Sequence, residues 1–243
     1  SILYKESGSN ITLIKVTTQS NVTIHDMRLE CNGLSMEEWD MEVNTGDIPK
    51  SRHGIDANGC DYFTVYNLWI NNTQGIGILL ENTTNFNVHD NILTKNGWIH
   101  EQSGNDYENY VGSGIWVYRK CHDGIVSNNQ ILNSYACGII IEAFIDDSLA
   151  DWPYSITVDD NTVTETGYGY YFEDVYSTVC SGNIGTNCDD TSCYGGAAGV
   201  RCASDSQGII FSDFTLNYCY QGISSAGTNN SFSDGVIYDS TIR

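Results

Sequence analysis

Three glutamates with the same position in a repeated segment are the first candidates for chemistry. Glu81, Glu142 and Glu173 each lie four residues after a glycine, and Tyr118 takes that position in the copy between Glu81 and Glu142. Two carboxyl groups cleave a glycosidic bond when they lie about 5–5.5 Å apart, with retention, or about 6.5–9.5 Å apart, with inversion. The chemistry open to these glutamates therefore depends on how the fold spaces the repeats.

The repeat itself is a glycine followed by a branched apolar residue. It occurs at 23- to 37-residue intervals, with a Gly-Tyr variant, at Gly54-Ile55, Gly77-Ile78, Gly114-Ile115, Gly138-Ile139, Gly169-Tyr170, Gly199-Val200 and Gly222-Ile223. Each interval holds short runs of alternating apolar and polar residues, and repeats of this length are typical of solenoids. We predict an all-β fold, a single right-handed parallel β-helix of about seven or eight coils over residues 1–243, within a longer chain.

Aligning the glycines separates interior from outward positions, because side chains alternate along a strand. The residue after each glycine is expected to line the interior. The next residue is expected to face solvent, and in successive copies it is Asp56, Leu79, Trp116, Ile140, Tyr171, Arg201 and Ser224. An exposed aromatic stripe offers sugar rings a stacking surface. We therefore place a binding face on the outward side of these strands, from Asp56 to Arg201.

Stacked coils would bring the glutamates to catalytic distances. At roughly 4.8 Å per coil, Glu142 and Glu173 lie ~5 Å apart at Cα, and Glu81 and Glu142 lie ~9.6 Å apart with Tyr118 between them. Both pairs are admissible for hydrolysis, and crowding raises the pKa of one carboxyl group, as a proton donor requires. Glu142 is the predicted central residue because it can pair with either neighbour.

Further residues could hold or activate a substrate. We predict substrate contacts from the outward and turn positions and from two histidines: Asp56, His53, Trp116, Tyr171, Arg119, Arg201 and His100. Two stretches exceed the coil length, 97–112 and 144–154, and are expected to wall the binding face. The alternative chemistry, β-elimination, would use Tyr118 or His53 as base and an arginine to neutralise a uronate.

Charge and composition exclude several classes of partner. The formal net charge is −21, with only 10 lysines and arginines, so nucleic acid is excluded as a ligand. No apolar run approaches the ~20 residues that a membrane-spanning helix needs. The acidic residues Asp146, Asp147 and Asp151 could bind calcium, but a solvated acidic loop is the simpler interpretation, and no cofactor is predicted. We expect most of the nine cysteines to be free interior thiols.

A second column, of Asn and Asp, follows the next strand of each copy. It includes Asp26, Asn67, Asp90-Asn91, Asn128-Asn129, Asp160-Asn161 and Asp213. Asn tolerates the left-handed backbone conformation and can hydrogen-bond to its neighbour one coil away. This column is therefore predicted to stabilise a turn, not to form a site.

The chain resembles the right-handed parallel β-helix proteins that act on carbohydrates: the pectate-lyase-like and polygalacturonase-like proteins, the mannuronan C5-epimerase and alginate-lyase group, and the NosD-type sugar-binding repeats. The resemblance rests on residues 20–33, on Arg52-His53-Gly54-Ile55, and on the Gly-Ile-x-Val/Ile and Asn-Asn-x-Ile patterns. Arg52-His53-Gly54 is similar to a run in the epimerases, but their Tyr-Gly-x-Asp-Pro-His run is absent. The paired aspartates of polygalacturonases are not evident either.

These observations favour a polysaccharide-degrading enzyme that hydrolyses glycosidic bonds, located outside the cell or on its surface. Two alternatives stay open. One is a lyase or epimerase acting on a uronate polymer, and the other is a non-catalytic glycan-binding or adhesin module that uses the same aromatic stripe.

Overall fold

In the computed structural model, the described residues are 2–4, 12–31, 53–73, 75–97, 112–143, 148–189 and 197–240. They contain parallel strands throughout and a 3-10 turn at Leu149–Asp151. The strands are β1 (Ile2–Tyr4), β2 (Ile14–Thr17), β3 (Ser20–Glu30), β4 (Ile55–Asn58), β5 (Asp61–Asn71), β6 (Ile78–Glu81), β7 (Asn87–His89), β8 (Ile92–Thr94), β9 (Ile115–Tyr118), β10 (His122–Ser127), β11 (Gln130–Leu132), β12 (Cys137–Glu142), β13 (Tyr154–Asp159), β14 (Thr162–Thr166), β15 (Tyr168–Glu173), β16 (Tyr176–Ser181), β17 (Ile184–Cys188), β18 (Ala198–Cys202), β19 (Ile210–Ser212), β20 (Thr215–Asn217), β21 (Ile223–Ser225), β22 (Ser231–Ser233) and β23 (Val236–Tyr238).

The strands form two parallel sheets. Eight strands in the order β2-β4-β6-β9-β12-β15-β18-β21 make the first, which we call the site sheet. The second has 15 strands and is divided into two halves by a bend. Eight coils stack, and each contributes one strand to the site sheet. Six of them contribute one strand to each half of the second sheet, whereas β3 and β5 each run through the bend as one strand, and β1 pairs with β3. This confirms the predicted parallel β-helix.

The aligned branched residues line the interior as predicted. In the site sheet Ile55 pairs in register with Ile78, Ile78 with Ile115, and Ile115 with Ile139. All four are fully buried, as are Tyr170 and Val200, which continue the row. The eight described cysteines are buried free thiols, in line with the expectation, and Cys193 lies outside the described residues.

The repeated glycine marks a corner where successive coils come very close. A Cβ atom on Gly138 would lie 2.7 Å from the carbonyl oxygen of Gly169 and 2.3 Å from Val163 Cγ1. The equivalent Cβ on Gly77 would lie 2.6 Å from the carbonyl oxygen of Gly114. These approaches are shorter than real Cβ contacts, so any side chain would push the coils apart. The glycine column is a packing requirement of the stack.

The asparagine column forms a buried ladder at the bend between the two halves of the 15-stranded sheet. Side-chain amides donate along the stack, from Asn91 to Asn129 at 3.0 Å, from Asn129 to Asn161 at 3.0 Å and from Asn161 to Asn183 at 3.2 Å. Each also binds backbone groups of neighbouring coils, and all four are fully buried. The predicted structural role is confirmed for these asparagines, whereas Asp26, Asn67 and Asp90 of the same column are exposed.

Candidate functional site

The candidate catalytic column lies at the carboxyl ends of four adjacent strands in the site sheet. Glu81 is in register with Tyr118, Tyr118 with Glu142, and Glu142 with Glu173. The predicted order and one-coil steps of the four residues are therefore correct. At the usual parallel-strand spacing of about 4.8 Å, Glu142 and Glu173 are direct neighbours.

Glu142 is a buried carboxyl group. Its side chain is only 3% exposed, and among the described residues no hydrogen bond or ion pair to its carboxyl oxygens is found. Burial raises the pKa of Glu142 well above its ordinary value, and the negative charges of Glu173 and Asp174 raise it further. A group in this state holds a proton at a pH where an exposed carboxyl group has lost it.

Glu173, on the next coil, has a different environment. It is half-buried, and the hydroxyl group of Tyr171 donates a hydrogen bond to its Oε2 at 2.8 Å. Tyr171 therefore fixes the orientation of this carboxylate, which places one buried and one more exposed carboxyl group side by side.

Glu81 is separated from this pair by Tyr118. Its Oε2 accepts a hydrogen bond from the side-chain amide of Asn58, its register partner one coil earlier. By strand spacing Glu81 lies ~9.6 Å from Glu142 at Cα. Glu142 and Glu173 are the closer pair.

The prediction of an exposed aromatic stripe is wrong, because the side chains of its members point outward but are buried. Trp116, Tyr118 and Tyr171 are 4%, 9% and 4% exposed. They form a second hydrophobic cluster on the outer side of the site sheet, together with Ile76, Ala136, Cys137, Ile140, Tyr168 and Ala198. Trp116 packs edge-on against Tyr118 at 5.4 Å, and Tyr168 against Tyr171 at 5.3 Å. Alternation along the strand gives the direction of these side chains correctly, but it does not show that they are buried.

The polar residues predicted to contact substrate are partly engaged with protein groups. The Arg119 guanidinium lies over the Tyr118 ring, 5.1 Å from its centre. Arg201 donates to Ser224 Oγ at 2.8 Å and is half-buried. Asp56, expected to face solvent, is buried with its carboxylate 3.2 Å from Lys15 Nζ. Among the described polar residues of this set, Arg119 lies beside Tyr118 of the carboxylate column, and Arg201 is in register with Tyr171.

The structure does not bring the candidate histidines to this column. His53 is buried, and its Nδ1 accepts a hydrogen bond from the backbone N–H of Ile76 at 3.2 Å, so that nitrogen is engaged in holding a corner. His100 lies outside the described residues.

The acidic residues considered for calcium have no site in the described part of the chain. Asp151 lies 2.9 Å from Lys120 Nζ and accepts from Ser148 Oγ at 2.7 Å, and the bond from Lys120 is the main reason that its pKa is lowered. Asp146 and Asp147 lie outside the described residues. Across those that are described, no three His, Cys, Asp or Glu side chains converge as metal ligands.

Two features of the structure were not predicted from the sequence. Asp174, buried in the turn after Glu173, contributes to the raised pKa of Glu142. Its position directly after a site glutamate was the available signal. The second feature is Trp69, which is exposed on the 15-stranded sheet beside a groove. Its position two residues after the predicted turn residue Asn67 was the available signal.

No protein-family model matches the chain, and no curated protein sequence is similar to it. Solved structures share its fold. The N-terminal fragment of bacteriophage phi29 gene product 12 superposes with a TM-score of 0.64 at 12% identity, covering 95% of this chain and 42% of that one. An exopolygalacturonase from Thermotoga maritima superposes with a TM-score of 0.59 at 12% identity, covering 96% of this chain and 50% of the exopolygalacturonase.

An endo-xylogalacturonan hydrolase from Aspergillus tubingensis superposes with a TM-score of 0.57 at 10% identity, covering 96% of this chain and 73% of the hydrolase. The chain thus spans half or less of the first two proteins. At these identities the similarity shows the fold, which is the right-handed parallel β-helix expected from the resemblance. Among the described residues no helix is long and apolar enough to cross a membrane.

Proposed function

We propose that the protein hydrolyses glycosidic bonds of a polysaccharide, with Glu142 as proton donor and Glu173 as its partner carboxylate. The observation that carries the proposal is the state of Glu142, a buried carboxyl group beside two other carboxyl groups and without a cationic partner in the described part of the chain. Burying such a group without compensation is costly to the fold. Strongly perturbed carboxyl groups of this kind concentrate at catalytic sites.

Glu142 has the environment of a general acid. Because its pKa is raised, it holds the proton that the leaving sugar oxygen needs when the glycosidic bond breaks. After the leaving group departs, the ionised Glu142 can accept a proton from the attacking water. One residue thereby serves both halves of the reaction.

Glu173 has the position of a nucleophile. It is one coil away, with its Cα ~5 Å from that of Glu142, so the two carboxyl groups can take the separation of about 5–5.5 Å found in retaining glycosidases. Tyr171 donates a hydrogen bond to one of its oxygens. The other oxygen would attack the anomeric carbon as Glu142 protonates the leaving oxygen. Water then releases the sugar from Glu173, so the bond cleaved is replaced by the elements of one water molecule.

The charge of the site favours a neutral polysaccharide. Glu81, Glu142, Glu173 and Asp174 surround the position of bond cleavage, and the chain has a net charge of −21. A uronate polymer would be repelled unless cations screened it. A polysaccharide substrate also places the protein outside the cell or on its surface.

Hydrolysis also requires that the sugar can reach Glu142. Glu142 is buried in this structure, so a sugar can reach it only after the side chains that cover it move. Closure over a substrate would exclude water from the acid and keep its pKa high.

A second candidate function is β-elimination. One observation favours it: Arg119 lies over the ring of Tyr118, which would pair a tyrosine base with a cation that neutralises a uronate. The neighbouring glutamates on both sides of Tyr118 oppose a negatively charged sugar at this point. Elimination therefore ranks behind hydrolysis.

The two candidates leave different products. The protein is incubated with neutral polysaccharides and with polygalacturonate or alginate, and the products are analysed by mass. Hydrolysis adds one water per cleavage, and elimination leaves an unsaturated end that absorbs in the ultraviolet. The proposal expects water addition on a neutral polymer. Binding without any product would replace it with a glycan-binding module.

A further inference from the structure

A groove lies on the 15-stranded sheet, away from the carboxylate column, where three early coils pass through the bend between its halves. Its volume is about 450 Å³, and its walls include Asp26, Arg28, Asn67, Trp69, Asp90 and Ile92. We call it the bend groove. Its size falls within the ~300–1,000 Å³ of small-molecule sites in proteins.

One wall of the bend groove is apolar and exposed. Arg28, Trp69 and Ile92 occupy the same register position in three successive coils. Trp69 is 42% exposed and Ile92 is 40% exposed, although both are large apolar side chains. Their exposure contrasts with the aromatic residues of the site sheet, which are buried. Trp69 and Ile92 therefore present apolar surface to the groove.

The indole of Trp69 is held in place. The Arg28 guanidinium stacks 4.0 Å from its centre, and Arg28 itself donates two hydrogen bonds to Glu30 Oε2, at 3.0 and 2.7 Å. The indole N–H is 3.5 Å from Thr94 Oγ1. A fixed ring loses little conformational freedom on binding. The Arg28–Glu30 pair also leaves little cationic charge in the groove to attract an anion.

The other wall of the bend groove carries hydrogen-bond acceptors at equal steps. Asp26, Asn67 and Asp90 are the bend residues of the same three coils, with φ of 52°, 51° and 56°. His25 contacts one oxygen of Asp26 at 2.7 Å, and His89 contacts one oxygen of Asp90 at 2.7 Å.

Those two histidines are themselves fixed. They stack on either side of Tyr66, with ring centres 4.9 and 5.1 Å apart, so both carboxylates have a rigid backing. The hydrogen bonds from His25 and Asn67 lower the pKa of Asp26, which keeps that carboxylate ionised as an acceptor.

We propose that the bend groove is a second, non-catalytic binding site for one or two sugar units of a neutral polysaccharide. A pyranose ring would pack its apolar face against the exposed surfaces of Trp69 and Ile92, while Asp26 and Asp90 accept hydrogen bonds from its hydroxyl groups. Two carboxylates and a neutralised arginine disfavour a phosphorylated or uronic sugar. The inference goes beyond the proposed catalysis, because none of its residues belongs to the site sheet.

Affinity gel electrophoresis of the whole chain tests the bend groove. Gels contain barley β-glucan, galactomannan, dextran or starch as neutral polymers, and polygalacturonate as the anionic one. We expect at least one neutral polymer to retard the protein, with Trp69→Ala raising its Kd at least tenfold and Asp90→Asn about three- to tenfold. Ile184→Ala is the matched control, because Ile184 is exposed in the same column as Ile92, three coils further along.

Three results would contradict sugar binding at the bend groove. They are the absence of retardation by all four neutral polymers, stronger retardation by polygalacturonate than by any of them, and unchanged affinity in both groove variants. If Trp69→Ala fails to fold, the conservative Asp90→Asn decides alone. The outcome is separable from the proposed catalysis, because Trp69 and Asp90 lie outside the site sheet and each variant is also assayed for hydrolysis. Retardation that depends on Trp69 without any hydrolysis would support the groove and reject only the catalysis.

Discussion

Glu142 and Glu173 are register partners on adjacent strands, yet one is buried and the other is half-exposed and hydrogen-bonded by Tyr171. One step of the coil thus places two identical side chains in different electrostatic environments. Because pKa values are set by burial and by neighbouring charges, the two carboxyl groups can take different roles.

The first prediction concerns stability. In the folded protein the pKa of Glu142 lies well above its ordinary 4.5, so above that pH the folded state binds more protons than the unfolded state. Wild-type stability should therefore fall as the pH rises from about 4.5 through the folded-state pKa. Glu142→Gln removes this loss and should raise the melting temperature at pH 8 by at least about 3 °C.

Thermal unfolding followed by circular dichroism across that pH range measures the difference. Glu165→Gln is the control, because Glu165 is exposed on β14 and the same change there should shift the melting temperature little at any pH. A constant difference between Glu142→Gln and wild type across the pH range would mean that Glu142 is not a perturbed carboxyl group.

The second prediction concerns the asparagine ladder. Asn129 donates to the Val88 carbonyl at 2.9 Å and accepts from the backbone N–H of Asn91 at 3.1 Å. Asn129→Ala would leave both groups buried and unpaired, at an expected cost of about 3 kcal/mol in the free energy of unfolding. Urea denaturation measures it, with Gln130→Ala, at the exposed next position, as control. Equal midpoints for the two variants would contradict the structural role of the ladder.

The third prediction concerns the glycine column. A Cβ at Gly138 meets the carbonyl oxygen of Gly169 and the Val163 side chain, so Gly138→Ala should destabilise the fold by about 2–3 kcal/mol. At Gly185, the nearest atom to an added Cβ is the end of the Leu216 side chain, at 3.0 Å, which can move. Gly185→Ala should then change stability by less than about 1 kcal/mol. Similar losses in both variants would show that close coil contact does not explain the repeat.

Much of the fold could be predicted because one rule, alternation along a strand, acts in every coil. It placed Ile78 and Ile139 in the interior and Glu142 beside Glu173, and the structure agrees. The same rule gives the direction of a side chain but not what covers it. Trp116 was therefore assigned correctly to the outward side and wrongly to the surface. The exposure of Trp69 could not be predicted for the same reason, because nothing in the sequence shows which outward side chains are left uncovered.

The central claim is that Glu142 donates the proton that cleaves a glycosidic bond. The most direct measurement is kcat on the polysaccharide that wild type hydrolyses, for Glu142→Gln beside the exposed control Glu165→Gln and beside Tyr118→Phe. We expect Glu142→Gln to lower kcat by about a thousandfold, Glu165→Gln to leave it unchanged and Tyr118→Phe to lower it less than about tenfold. A Glu142→Gln variant that keeps more than about a tenth of wild-type kcat, or a Tyr118→Phe variant that loses all activity toward a product with an unsaturated end, would contradict the claim.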